Sequence, residues 1–75
     1  MKVTVHAAKR FLERVMSKTN YTYSDVNMAL LFLEKTLQDV VVRSTSKHFV
    51  LPGFKNFKVV YRENTVITIL PKYEN

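Results

Sequence analysis

Seventy-five residues with no cysteine and a net charge of +6 exclude a disulfide scaffold, a thiolate metal centre and a separate substrate domain. A chain this short buries only about 60% of its unfolded surface, so one core must serve residues 1–75 as a single domain. The hydrophobic share is 47%, and no apolar run reaches the roughly 20 residues of a membrane span or resembles the apolar block of a secretory leader, so a cytoplasmic protein is expected.

The charge is segregated. Residues 1–18 carry Lys2, Lys9, Arg10, Arg14 and Lys18 against Glu13, and residues 43–62 carry Arg43, Lys47, Lys55, Lys58 and Arg62 with no acid. The stretch between them, 24–39, sets Lys35 against Asp25, Glu34 and Asp39. Two basic segments flanking an acidic one imply a polarised molecule whose basic side meets a polyanion.

Lys2 to Thr4 reads as an extended lead-in, with Thr4 as the N-cap of a first helix from Val5 to Met16 or Lys18. His6, Arg10 and Arg14 recur at i, i+4 and i+8. At about 100° per residue they share an arc of roughly 80°, while Val5, Ala8, Phe11, Leu12 and Val15 gather on the other side. Ser17 to Tyr23 forms the connection, with Asn20 suited to a left-handed backbone and Ser24 to capping. A second helix follows from Asp25 to Gln38, its apolar stripe being Val26, Ala29, Leu30, Leu33 and Leu37. Met28 and Leu31 fall outside that stripe, leaving an apolar patch for the sheet, a second copy or another protein partner.

From Val40 the period becomes two. Strands are expected at Val40–Arg43, Lys47–Leu51, Phe57–Tyr61 and Thr65–Leu70, with a turn at Pro52–Gly53. A two-residue loop of Glu63 and Asn64 would match Phe57, Val59 and Tyr61 with Val66, Thr68 and Leu70. A three-residue loop from Arg62 to Asn64 would match them with Thr65, Ile67 and Ile69. The second is preferred because only Asn64 then needs positive φ, which suits Glu63 poorly. It places Phe57, Val59, Ile67 and Ile69 on the core face and Lys58, Val60, Val66 and Thr68 opposite. The expected architecture is α+β, two N-terminal helices followed by a three- or four-stranded antiparallel sheet with the helices on one face.

The opening VHAAKRFLERV resembles the HAxxRxxxR start of a group of small bacterial and phage proteins, uncharacterised or toxin-like. FKVVYRENTVITILPK is similar to their closing strands and, more loosely, to those of RelE-like and BrnT-like ribonuclease toxins. The resemblance implies a RelE-like, barnase-like fold with RNA lying across the sheet, and a metal-independent endoribonuclease. Position by position it matches the family's histidine to His6, its two arginines to Arg10 and Arg14, its last-strand hydroxyl to Thr68 and its strand cation to Lys58 or Arg62. The SKTNYTYS connection is longer than the family's usual turn.

The chemistry stands beside that resemblance. Asp25, Glu34 and Asp39 are spaced at nine and five residues away from both histidines, which does not make a metal site, and no cofactor motif is present. RNA can be cleaved without metal because its 2′-hydroxyl is an internal nucleophile. Such a reaction needs a base, cations for the phosphate and an acid for the leaving oxygen. His6 is a candidate for proton transfer, Arg10 and Arg14 for the phosphate, and Lys58, Thr68 or Tyr73 to complete the set. His48 is the rival histidine. Lys9, Arg43, Lys47, Arg62 and Lys72 are candidate RNA contacts, and Tyr21 and Tyr23 candidate stacking platforms for unpaired bases. The competing expectation is a non-catalytic basic module binding nucleic acid or protein, such as a phage accessory or inhibitor protein. A toxin-like enzyme would bring a cognate antitoxin as a further partner, and Met28 and Leu31 suit either that protein or a homodimer.

Overall fold

Thr4 stands in extended conformation ahead of the first helix, and its hydroxyl accepts a 3.1 Å hydrogen bond from the Ala7 N–H. In the computed structural model, which describes residues 1–42 and 47–73, helix α1 (Val5–Arg10) continues into a π-helical turn over Phe11–Val15. The wider turn ends when Lys18 N–H reaches Leu12 O at 2.9 Å, six residues back. That is one residue wider than the usual C-terminal closing bond. Ser17, with φ 55°, takes the left-handed position expected at Asn20.

Helix α2 (Tyr23–Thr36) begins two residues before the expected start because Thr22, not Ser24, caps it. The Thr22 hydroxyl accepts from Asp25 N–H at 3.2 Å while the Asp25 carboxylate accepts from Thr22 N–H at 3.0 Å. This reciprocal pair satisfies donors that the first helical turn would otherwise leave orphaned.

The sheet is mixed rather than antiparallel, in the order β1-β4-β3-β2. Strand β1 (Lys2–Val3) lies parallel to β4 (Thr65–Pro71); β2 (His48–Val50) and β3 (Phe57–Arg62) complete the antiparallel remainder. The expected lead-in is therefore a strand, and the chain starts in the sheet before either helix. Val40, Val41 and Val42 form no strand, and Arg43, the end of that expected strand and a candidate RNA contact, lies outside the described residues. Pro52 and Gly53 make the expected turn. Gly53 has φ 84° and Phe54 N–H donates to Leu51 O at 3.0 Å, the geometry in which proline presets the first corner and glycine supplies the second.

The β3–β4 hairpin departs from the preferred register in an informative way. Glu63 and Asn64 form a two-residue turn, both with positive φ, at 52° and 61°. This turn pairs Arg62 with Thr65 and Tyr61 with Val66, but the register then shifts so that Val60 meets Thr68 and Val59 meets Ile69. Ile67 is the extra, bulged residue. The two-residue alternative thus holds as far as Tyr61 and Val66; beyond the bulge the pairing is that of neither alternative, and of the preferred register only the placing of Val59 and Ile69 on one core face survives, with Val66 taking the core place expected of Ile67. The reason is burial: Val66 and Ile69 both enter the core fully, whereas Ile67 stays 41% exposed. No single register could bury both Val66 and Ile69, because they are three residues apart on a strand of period two.

Both helices pack on the face carrying Val59, Val66 and Ile69, with Leu33, Leu37 and Leu51 fully buried among them. Ala7 and Ala8 present minimal side chains there, so α1 can approach β4 and α2 closely. Phe11, Phe32 and Phe54 form a three-ring cluster with centroids 5.6 to 6.2 Å apart, tying the π-helical turn and α2 to the turn after β2. Each such pair contributes about 0.5–1.5 kcal/mol beyond its buried area.

Candidate nucleic-acid interface on the open sheet face

With the helices on one face, strand alternation fixes what the other face carries. Lys2, Thr65 and Arg62 are register partners in a first row. Thr68, Val60 and His48 make a second, and Leu70, Lys58 and Val50 a third. None of these nine residues is acidic; the nearest carboxylate in sequence, Glu63, belongs to the hairpin turn.

Val60 is the centre of this arrangement. His48 and Thr68 flank it across the neighbouring strands, and Lys58 and Arg62 precede and follow it by two residues on β3. Directly opposed side chains start about 4.5–5.5 Å apart, so His48 and Thr68 border Val60 closely, and Lys58 and Arg62 lie before and after it on the same face of β3. Thr68 owes its place to the bulge. Had the Tyr61–Val66 register continued, Thr68 would face Val59 in the core and Ile69 would be exposed.

The other expected site residues stand on the helix side. His6 is exposed on α1, which packs on the helix-covered face of the sheet, whereas Lys58 and Thr68 alternate to the other face. Arg10 pairs with Glu13, whose second carboxylate oxygen accepts from the Tyr21 hydroxyl. The Tyr21 hydrogen bond and then Arg10 hold the Glu13 carboxyl below its ordinary range, and the same bond pushes the Tyr21 phenol up. Arg14 turns to the sheet and donates from Nη1 to Ile69 O at 2.8 Å. Glu13, which carried no role in the sequence beyond its charge, is the hub of this side. Its spacing of three from Arg10 was the one available signal.

Of the candidate RNA contacts, Arg62 lies in the basic rows. Lys47 is exposed just before β2, and Lys72 is exposed after β4, with its ammonium 5.7 Å from the Tyr73 ring centroid. Lys9, Tyr21 and Tyr23 come together elsewhere, around a cleft of about 540 Å³ between α1 and the start of α2. The sequence puts Lys2 in a basic segment but not on this face, because a two-residue strand has no readable period. Among the described residues no group of three or more His, Cys, Asp or Glu is placed to hold a metal ion, and no helix is long and apolar enough to cross a membrane. Comparison with known proteins finds no matching family model, no matching curated protein and no matching solved structure.

Proposed function

We propose that the protein is a small metal-independent endoribonuclease that takes single-stranded RNA across the uncovered face of its sheet, as the RelE-like and barnase-like resemblance suggests. The observation that supports this reading is the arrangement of His48, Lys58, Arg62 and Thr68 around Val60. His48 replaces His6 in the role of general base, since imidazole is the side chain that moves protons near neutral pH. As its 2′-proton passes to His48, the 2′-oxygen bonds to phosphorus. The bond to the 5′-oxygen breaks, that oxygen takes a proton from water, and the hydroxide so formed is neutralised by the proton His48 carries, which restores the base. Lys58 and Arg62 stabilise the charge growing on the phosphate, and Thr68 offers it a hydroxyl donor. No Phe, Tyr or Trp stands in the three rows and His48 is taken up with proton transfer, so contact is to the backbone rather than by base stacking.

The test is incubation of the purified protein with RNA, with and without a chelator. Cleavage that survives chelation and leaves 2′,3′-cyclic phosphate ends supports the enzyme; binding without cleavage supports the second reading, a basic binding module. That second reading draws on Val50, Val60 and Leu70, which bring apolar surface to the same face. A toxin-like enzyme in the cytoplasm would also need a protein partner such as an antitoxin. Met28 and Leu31, 66% and 56% exposed on α2, with Phe32 beside them, form the surface we assign to that partner or to a homodimer. Concentration-independent monomeric behaviour in sedimentation would remove the homodimer.

A further inference from the structure

The cleft between α1 and α2 lies apart from the open sheet face, and its lining has a composition that the cleavage reading does not use. Its floor and near wall are apolar: Val26 is buried, Leu30 is half-buried, and Val5 remains 55% exposed. Tyr21 and Tyr23 supply aromatic faces. The Tyr21 ring is held from behind, because its hydroxyl donates to Glu13, which Arg10 in turn engages. The Thr22 hydroxyl oxygen accepts from the Asp25 N–H. Three polar side-chain groups of the lining are left for a ligand, the Lys9 ammonium, the Asn27 carboxamide and the Tyr23 hydroxyl at the rim, none of which has a bonding partner among the described residues. No carboxylate lines the cleft.

Tyr23 is 94% exposed at the first position of a helix whose capping is already complete, so it contributes nothing to the core. A planar apolar ligand entering between it and the floor would cover both Tyr23 and Val5. The volume, about 540 Å³, is within the range of about 300–1,000 Å³ common for small-ligand sites. The ligand should be planar, carry a donor–acceptor edge for the carboxamide, which both donates and accepts, and bear an anion for the ammonium. A purely aliphatic ligand would leave Asn27 and Lys9 without partners, and a bare anion would leave the aromatic and apolar walls wet.

We propose that this cleft binds one nucleotide: the base against Tyr21, Tyr23 and the Val26–Leu30 floor, its edge on Asn27, and its phosphate on Lys9. A free nucleoside monophosphate and one residue of an RNA strand share this chemistry. The site stands independently of the cleavage reading, because none of its residues belongs to the rows around Val60.

The experiment is titration of the 75-residue chain with adenosine monophosphate, uridine monophosphate, adenosine, inorganic phosphate and a four-residue oligoadenylate, followed by NMR shift mapping. Either monophosphate should move signals of Val5, Tyr21, Tyr23, Val26 and Leu30, and inorganic phosphate alone should not. Lys9→Ala should weaken a monophosphate roughly tenfold and leave adenosine unaffected. Tyr23→Ala should weaken both by roughly tenfold, the scale of one base–aromatic stack. Both side chains are exposed, so the variants retain the fold, and unchanged spectra elsewhere verify this. A tighter complex with the oligonucleotide identifies the strand as the source, and equal affinity identifies the free nucleotide. Shifts confined to Lys58, Arg62 and their neighbours, or equal response to phosphate and monophosphate, would overturn the proposal. Loss of cleavage in a His48 variant would leave these titrations unchanged, so the two readings fail separately.

Discussion

Arg14 reaches from the π-helical turn to the carbonyl of Ile69 and closes, at 2.8 Å, the edge of β4 that β1 is too short to cover. The edge is satisfied group by group: Lys2 N–H bonds Asn64 O, Thr4 N–H bonds Val66 O, the Thr4 hydroxyl bonds Ile67 O, and Arg14 bonds Ile69 O. The acceptors step from 64 and 66 to 67 and 69, so the bulge at Ile67 is visible in the edge itself. Arg14→Ala should therefore cost about 1 kcal/mol of stability, the usual net value of one such bond. Chemical denaturation measures it, and RNA cleavage should be unchanged. A stable but inactive variant would return Arg14 to the site.

The two histidines make opposite demands. His48→Ala should lower cleavage by about two to four orders of magnitude, the contribution of a general acid or base, while changing stability by no more than about 0.5 kcal/mol. His6→Ala should leave cleavage intact. Single-turnover rates on one defined RNA decide it, and the reverse pattern would move the chemistry to the helix side.

Backbone contact by the basic rows sets a salt law. The logarithm of RNA affinity should fall linearly with the logarithm of salt concentration, by about 0.7 for each phosphate engaged on a single strand. Lys2→Ala and Arg62→Ala should each flatten that slope by about 0.7. A slope indifferent to both substitutions would mean that RNA lies elsewhere.

Acid stability should depend on Glu13. Its folded carboxyl sits below the ordinary value of 4.5, held there first by the Tyr21 hydroxyl and then by Arg10. A lowered folded value contributes stability that is present above 4.5 and is lost as pH falls through the folded value. Glu13→Gln should thus flatten the acid limb of the stability profile below that point. The Tyr21 phenol is raised by the same bond, so its contribution is complete below 10 and disappears as pH rises through the folded value. An acid limb that keeps its slope in Glu13→Gln would contradict the pairing.

The hairpin carries a correctable strain. Glu63 holds φ 52° and Asn64 φ 61°, a turn that favours asparagine followed by glycine. The double substitution Glu63→Asn with Asn64→Gly should stabilise the fold by about 1 kcal/mol. Thermal unfolding reads the gain, and a loss would show that Glu63 holds a contact beyond its backbone.

Several features could be read from local chemistry alone. Thr4 as a cap, the stripe of Val26, Ala29, Leu33 and Leu37, and the alternation of His48 and Val50 against Phe49 and Leu51 each follow from groups a few residues apart. So does the Pro52–Gly53 turn. The placement of β1 against β4 did not follow, because the pairing joins residues more than sixty positions apart through two-residue contacts with no period of their own. The hairpin misled for a related reason. Backbone preference at Glu63 opposed the two-residue turn, yet burying Val66 and Ile69 together outweighed that preference and forced the bulge. Sequence spacing gathered His6, Arg10 and Arg14 into a row, but a row on one helix face does not say what that face meets. The tertiary structure committed Arg10 to Glu13 and Arg14 to Ile69, and through the sheet register it set His48, Lys58, Arg62 and Thr68 around Val60. Register is a property of strands paired by burial, and burial is decided only when the whole core closes.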